Sequence, residues 1–170
     1  MTTMRLFGHW VTTPTRDGYA RLQDSVQAEF HYDATRHLAS QIVPVLDDAH
    51  YIRAERMLLE VLAAHVLSPA AHALLARCHD GLGEPERAAT ERKLAELTMQ
   101  AILHSGDGSE ARPYPVLVLS DEYDVLEVLG IKPSIHASKE CGGDVIDMFQ
   151  DGHGHTVHFA LRRGGRRARS

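Results

Sequence analysis

The chain of 170 residues lacks several features that mark secreted, disulfide-stabilised or membrane-spanning proteins. Its two cysteines, Cys78 and Cys141, are too few for a disulfide framework, so we expect free thiols in a reducing compartment. The N-terminus does not show the charged, apolar and small-residue order of a signal peptide, and no apolar run approaches the ~20 residues that cross a bilayer. These absences predict a cytoplasmic protein without a membrane partner.

An excess of positive charge is also missing. The 18 Lys and Arg are outnumbered by 23 Asp and Glu, which gives a formal net charge of −5. Because nucleic acids and anionic membranes attract basic proteins, neither is the expected partner. The basic residues from Arg162 to Arg169 leave nucleic-acid contact open as a third hypothesis, and we expect disorder at 164–170.

What the sequence does contain is a central stretch, residues 51–103, with the spacing of three amphipathic helices. Ser68 and Pro69 are typical of a helix start, Gly83 of a left-handed helix end, and Pro85 of a new first turn. The apolar stripe of the first helix consists of Ile52, Leu58, Leu59, Val61, Leu62 and Val66.

Part of this stretch resembles the tetratricopeptide repeat, a helical hairpin of roughly 34 residues. The residues at the repeat's Leu, small-residue, turn and two Ala positions are Leu75, Ala76, Gly83, Ala88 and Ala95. His72 and His79 occupy its two aromatic positions, and Gln41 and Ile42 fit the preceding repeat poorly although Ala54 fits it well. The resemblance implies one good repeat flanked by degenerate helices.

The same resemblance implies a concave, peptide-binding face lined by the first helix of each pair. The residues that would face it are Ala73, Arg77 and Asp80, with Arg36 and Val43 from the degenerate repeat. Arg77 would clamp a peptide carboxylate, and the alternative is an ordinary solvent-exposed pair with Asp80 or Glu84.

Residues before the central stretch predict apolar anchors and two more helices. We expect Phe7 and Trp10 to lie on the helical body, with an exposed recognition surface as the alternative. Asp17 is expected to cap a helix whose apolar positions include Phe30, and a second helix from about Asp33 is expected to kink or end at Pro44. The apolar positions of the first of these helices are Tyr19, Leu22, Val26 and Phe30.

The C-terminal third predicts a small sheet with one helix. A turn-rich loop at 104–109 precedes an apolar strand at 115–119, and a helix follows between Ser120 and Gly130. A further strand at 135–138 is followed by a hairpin, 145–150 with 156–161, around an Asp-Gly turn. The fold class is therefore α+β, with helical hairpins at 1–105, a strand–helix–hairpin module at 106–163 and a tail.

This module resembles the C-terminal part of an uncharacterised bacterial domain family, in which a helical region precedes a Gly-Asp-Gly loop and an Asp/Glu-Glu-Tyr helix. The matching residues are Gly106, Asp107, Gly108, Glu122, Tyr123, Leu126, Leu129, Gly130, Asp144 and Val145. The resemblance covers roughly two-thirds of the chain. It implies an architecture and no activity.

Two function hypotheses follow from these patterns. The first is a non-enzymatic module that binds a protein or peptide. The second is an enzyme with an acid–base site at the junction of the two parts, formed by His104, Asp107, Glu122 and Tyr123. The alternative for these side chains is structural, with Asp107 in an Asx-turn and the acids at a helix N-terminus. No cofactor is expected, and His153, His155 and His158 do not converge as metal ligands on an extended strand.

Overall fold

The computed structural model describes residues 2–162, which contain seven helices and one four-stranded sheet. The prediction of a mainly helical α+β fold is confirmed. The predicted tail at 164–170 lies outside the described residues. Within the described part, no helix is both long enough and apolar enough to cross a membrane. The helices are α1 (Thr3–Thr12), α2 (Arg16–Gln27), α3 (Leu38–Asp47), α4 (Tyr51–His65), α5 (Pro69–Gly81), α6 (Pro85–Ser105) and α7 (Leu119–Val128).

The N-terminal residues form a helix that the sequence pattern does not predict. Phe7 and Trp10 of α1 are 6% and 3% exposed, so both are buried anchors rather than an exposed recognition surface. Thr15, not Asp17, caps α2, because its hydroxyl accepts a hydrogen bond from the Gly18 amide at 3.1 Å. Since α2 already ends at Gln27, Phe30 lies beyond it and is 93% exposed.

Helix α3 contains a proline that was expected to kink or end it. The helix begins at Leu38 rather than near Asp33 and continues through Pro44 to Asp47. Pro44 is exposed, while Ile42 and Leu46 on the other face are buried in a cluster with α4 and α5. This apolar contact holds the helix together although proline removes one backbone hydrogen bond.

Helices α3 to α6 form consecutive pairs, in which α3 contacts α4 and α5 while α5 contacts α6. Leu75 and Ala88 are buried, and Gly83 has a φ of +75°, a conformation that glycine adopts without a steric penalty. Two residues of the apolar stripe predicted for α4 are not buried, since Ile52 is 63% and Leu59 is 52% exposed. The likeness to tetratricopeptide repeats stays a prediction.

The sheet has the order β1-β4-β3-β2, where β1 is Tyr114–Val116, β2 is Pro133–Cys141, β3 is Asp144–Asp151 and β4 is Thr156–Leu161. Strand β1 pairs parallel with β4, and the other pairs are antiparallel. Strand β1 is shorter than predicted because α7 already begins at Leu119, with Val118 rather than Ser120 at its N-cap. All nine residues of β2 are exposed, at the edge of the sheet.

One face of the sheet packs under α7 and the end of α6. Phe149 and Phe159 lie in a single cluster with Val125 of α7 and with Met99 and Ile102 of α6. The apolar core therefore runs across the predicted boundary at residue 105. The long helix α6 belongs to both parts of the molecule.

Candidate functional site

A groove of about 670 Å³ opens between α3, α5, α6 and α7, and we call it the helical groove. Its volume falls within the range of small-ligand and peptide sites, about 300–1,000 Å³. It is lined by Ala39, Val43, Pro69, Ala70, Ala73, Leu74, Arg77, Ala95, Glu96, Met99, Gln100, Asp124, Glu127 and Val128.

Three of the five predicted peptide-binding residues lie in this groove. Ala73 and Arg77 are four residues apart on α5 and therefore share a face, and Val43 of α3 lies opposite them. Arg36 does not line the groove, because it precedes α3 in a turn closed by its amide on the Asp33 carbonyl. Asp80 faces elsewhere and pairs with Arg92.

Arg77 has a different partner from the two that the sequence suggests. Its guanidinium lies 3.2 Å from Asp47 Oδ1, not beside Asp80 or Glu84, and its side chain is 48% exposed. Exposed ion pairs of this kind contribute about 0–1 kcal/mol. A carboxylate entering the groove can therefore replace Asp47 at little cost.

The α6–α7 side of the groove is acidic. Glu96, Asp124 and Glu127 line it, and Asp124 Oδ2 is buried without a hydrogen-bond partner among the described residues. Burial, followed by the charge of Glu127, raises the pKa of Asp124 to about 6. Leu74 and Met99, which are 5% and 9% exposed, form an apolar floor beside these acids.

The four predicted catalytic residues are not brought together. In residues 2–162 no hydrogen bond or ion pair joins any two of His104, Asp107, Glu122 and Tyr123. Asp107 accepts a hydrogen bond from the Ser109 amide at 3.0 Å, which is an Asx-turn. His104 lines a separate cavity beside α2, and Tyr123 is half-exposed with its ring edge against Phe149.

Glu122 instead faces a second carboxyl that the prediction missed. Burial, followed by the charge of Asp147, raises the pKa of Glu122 to about 9, so its carboxyl is protonated near neutral pH. Asp147 is 2% exposed and is held by His136 Nε2, 2.9 Å from its Oδ1, and by the Ser138 hydroxyl. We call these four residues the carboxyl cluster.

The geometry of the carboxyl cluster does not form a nucleophilic triad. Ser138 and Asp147 both approach the same imidazole nitrogen, His136 Nε2, at 3.3 and 2.9 Å. A serine nucleophile needs its base and its orienting carboxylate on opposite nitrogens. Glu122 is also 0% exposed and lines neither the helical groove nor the cavity at His104. The cluster therefore places two buried carboxyls where α7 meets the sheet, and neither Glu122 oxygen has a hydrogen-bond partner among the described residues.

A second buried carboxyl on α7 fixes the start of α5. The Ser68 hydroxyl donates to Asp121 Oδ1 at 2.7 Å, although the sequence assigns Ser68 to an N-cap. Burial raises the pKa of Asp121 to about 8. This contact positions α7, and with it Asp124 and Glu127, against the helix that carries Ala73 and Arg77.

Some of the histidines are held by protein contacts, whereas both ring nitrogens of the buried His65 have no hydrogen-bond partner among the described residues. His72 Nδ1 lies 2.7 Å from Glu91 and its Nε2 lies 2.9 Å from the Val66 carbonyl. At the hairpin turn, His155 Nδ1 lies 2.9 Å from Asp151 Oδ2. Across the described residues, no three His, Cys, Asp or Glu side chains converge as ligands for a metal.

Comparison of the chain with family models, curated proteins and solved structures finds no match. The two resemblances noted in the sequence therefore stay predictions.

Proposed function

We propose that the protein binds a short amphipathic peptide segment of a partner protein in the helical groove, and that this segment carries a basic side chain. The single observation that carries the proposal is the combination of an apolar floor with an acidic wall. Both line one groove that is open to solvent.

The apolar floor supplies binding free energy. Leu74 and Met99 lie beneath the groove, and Val43 and Val128 flank it, with Val128 58% exposed. Covering such surface with one Leu-sized side chain contributes about 1.5–3 kcal/mol. Two or three apolar side chains at helical spacing would contribute about 3–9 kcal/mol before the cost of ordering the peptide, so the floor supplies only part of the affinity.

The acidic wall supplies the preference for a basic segment. Glu96, Asp124 and Glu127 lie on one side, and Asp124 Oδ2 has no partner among the described residues. A Lys or Arg of the peptide would pair with the carboxylates of this wall through charge-assisted hydrogen bonds. At the α5 side, Arg77 would receive an acidic side chain or the terminal carboxylate, which sets the direction of the peptide.

A peptide-display selection tests the proposal. A random library is selected in parallel on the original chain and on Ala73→Glu, which places a carboxylate on the apolar part of the groove. We expect the original chain to enrich sequences with apolar residues and Lys or Arg, and Ala73→Glu to weaken their binding by about tenfold or more.

Glu60→Lys is the matched control, because Glu60 is an exposed acid on α4 outside the groove. It should retain the selected peptides. Charge reversal at Glu127 should remove the preference for Lys and Arg. Peptides that bind Ala73→Glu as tightly as the original chain would show that the groove is not the binding surface.

A further inference from the structure

A second cavity, which we call the α2–α6 cavity, lies between α2 and α6. Its volume is about 570 Å³, and it is formed by α1, α2, α6 and the start of β1. Its floor contains Trp10 and Tyr19, whose ring centroids are 5.5 Å apart at an angle of 36°. Flat, buried aromatic walls of this size suit a small apolar molecule rather than a chain segment.

The floor also contains one polar group with an unused donor. Gln23 is 5% exposed, and its Nε2 has no hydrogen-bond partner among the described residues. Its other amide atom faces Arg162 Nη1 at 3.5 Å. Because a guanidinium only donates, that atom is the amide oxygen. The N–H₂ group lies near the Tyr19 hydroxyl without a hydrogen bond to it, and so remains able to bind an acceptor from the cavity.

A buried amide without a partner costs about 1–3 kcal/mol, so an acceptor that reaches Gln23 recovers part of this cost. The Tyr19 hydroxyl lies nearby, where burial and then the charge of Asp121 raise its pKa while the Gln23 amide partly offsets that effect. The phenol therefore stays neutral and presents no competing negative charge.

Arg16 is the one formally charged residue among the described residues that line the cavity. None of its thirteen lining residues is Asp or Glu, although the whole chain has a net charge of −5. The lining does include Arg16 and His104, both exposed at the rim. A guanidinium and an imidazole N–H at the opening of an apolar cavity favour an anionic group on the ligand.

We infer that the α2–α6 cavity binds a small organic carboxylate with an aromatic or compact apolar body. The body packs against Trp10 and Tyr19, and one carboxylate oxygen accepts from Gln23 Nε2. Arg16 and the His104 imidazole at the rim favour the negative charge through their electrostatic field rather than by direct contact. This site shares only Gln100 with the lining of the helical groove and does not depend on a peptide being bound there.

Isothermal titration calorimetry of the full chain with 1-naphthylacetate tests the inference, with 1-naphthylacetamide as the uncharged match. We expect the carboxylate to bind, and the amide to bind about tenfold more weakly. The single tryptophan gives one indole N–H signal in an NMR spectrum, and that signal should shift during the titration because Trp10 lines the cavity.

Three substitutions locate the ligand. Arg16→Gln should weaken binding by about fivefold and Gln23→Leu by about tenfold. Ala20→Trp fills the cavity from an exposed position and should abolish binding while thermal unfolding stays unchanged. Arg21→Gln, at an exposed position of α2 outside the cavity, is the control and should bind as the original chain does.

The inference is overturned if the carboxylate does not bind, if the carboxylate and the amide bind equally, or if Arg16→Gln binds like Arg21→Gln. It is also overturned if Ala20→Trp, still folded, retains the ligand. Ala73→Glu in the helical groove should leave the affinity for 1-naphthylacetate unchanged, so this result is independent of the peptide proposal.

Discussion

At the scale of single residues, the main finding is a set of carboxyls that are buried on α7. Glu122 has its pKa raised from the usual 4.5 to about 9, and Asp121 from 3.8 to about 8. An acid whose pKa is higher in the folded chain contributes stability that is complete below its unfolded pKa and is lost as pH rises through its folded pKa. The free energy of unfolding should therefore decrease as the pH rises from mildly acidic to mildly alkaline values.

The first prediction concerns Glu122. At pH values where such a carboxyl is protonated only in the folded chain, it lowers the free energy of unfolding by about 1.4 kcal/mol for each unit of pH increase. Glu122→Gln removes this contribution, so the stability should decline less steeply from about pH 6.5 to about pH 7.5. Urea unfolding at several pH values in that range measures the slope.

This pH range avoids two other groups, because burial lowers the pKa of His65 to about 4 and raises that of Asp124 to about 6. Glu60→Gln is the control, since it removes a carboxylate that is exposed on α4. Equal slopes for the original chain and Glu122→Gln would mean that Glu122 is ionised in the folded protein.

At the scale of elements, local signals in the sequence predict where helices end better than they predict which strand residues pair. Gly83 and Gly130, with φ of +75° and +68°, end helices as expected, because a left-handed position needs glycine whatever surrounds it. The hairpin turn at Gly142 and Gly143 was not recognised, so the register that places Ser138 opposite Asp147 could not be derived. The carboxyl cluster depends on that register.

Helix α3 provides the second prediction. Its interior proline was expected to break it, but packing of Ile42 and Leu46 outweighs the local preference. Pro44→Ala restores the missing backbone hydrogen bond and should stabilise the protein by about 1–3 kcal/mol, measured by urea unfolding. Gln41→Ala, an exposed change on the same helix, should alter stability by less than about 0.5 kcal/mol.

A lower stability in Pro44→Ala would mean that the rigidity of proline in the unfolded chain matters more than the lost hydrogen bond. It would also mean that the buried face of α3 is not enough to position this helix. The position of α3 matters for the groove because α3 supplies Val43 to its lining.

At the scale of the whole molecule, α6 connects the helical part to the sheet, because it packs against a separate apolar cluster in each. Ile102 is 1% exposed in the cluster with Phe149 and Phe159, while Leu97 on the same helix packs near Trp10. The sequence predicted a boundary at residue 105 because its patterns change there. It could not show that the last turns of α6 pack on strands distant in the chain.

The third prediction concerns Ile102 of α6, which is buried against the sheet. Ile102→Ala should destabilise the protein by about 2–5 kcal/mol, and a single unfolding transition should shift in both Trp10 fluorescence and far-ultraviolet circular dichroism. Ile52→Ala, at a 63% exposed position, is the control and should change stability by less than about 0.5 kcal/mol. Two separate transitions would indicate that the sheet unfolds independently of the helices.

The most direct test of the central claim is a methyl NMR titration of the full chain with a peptide obtained from the display selection. We expect the shifts to concentrate on residues that line the helical groove, which are Val43, Ala73, Met99 and Val128. Methyl signals of Ile52 and Leu59 on the exposed face of α4 should remain unchanged. Shifts confined to α4, or to the sheet, would contradict a peptide-binding role for the groove.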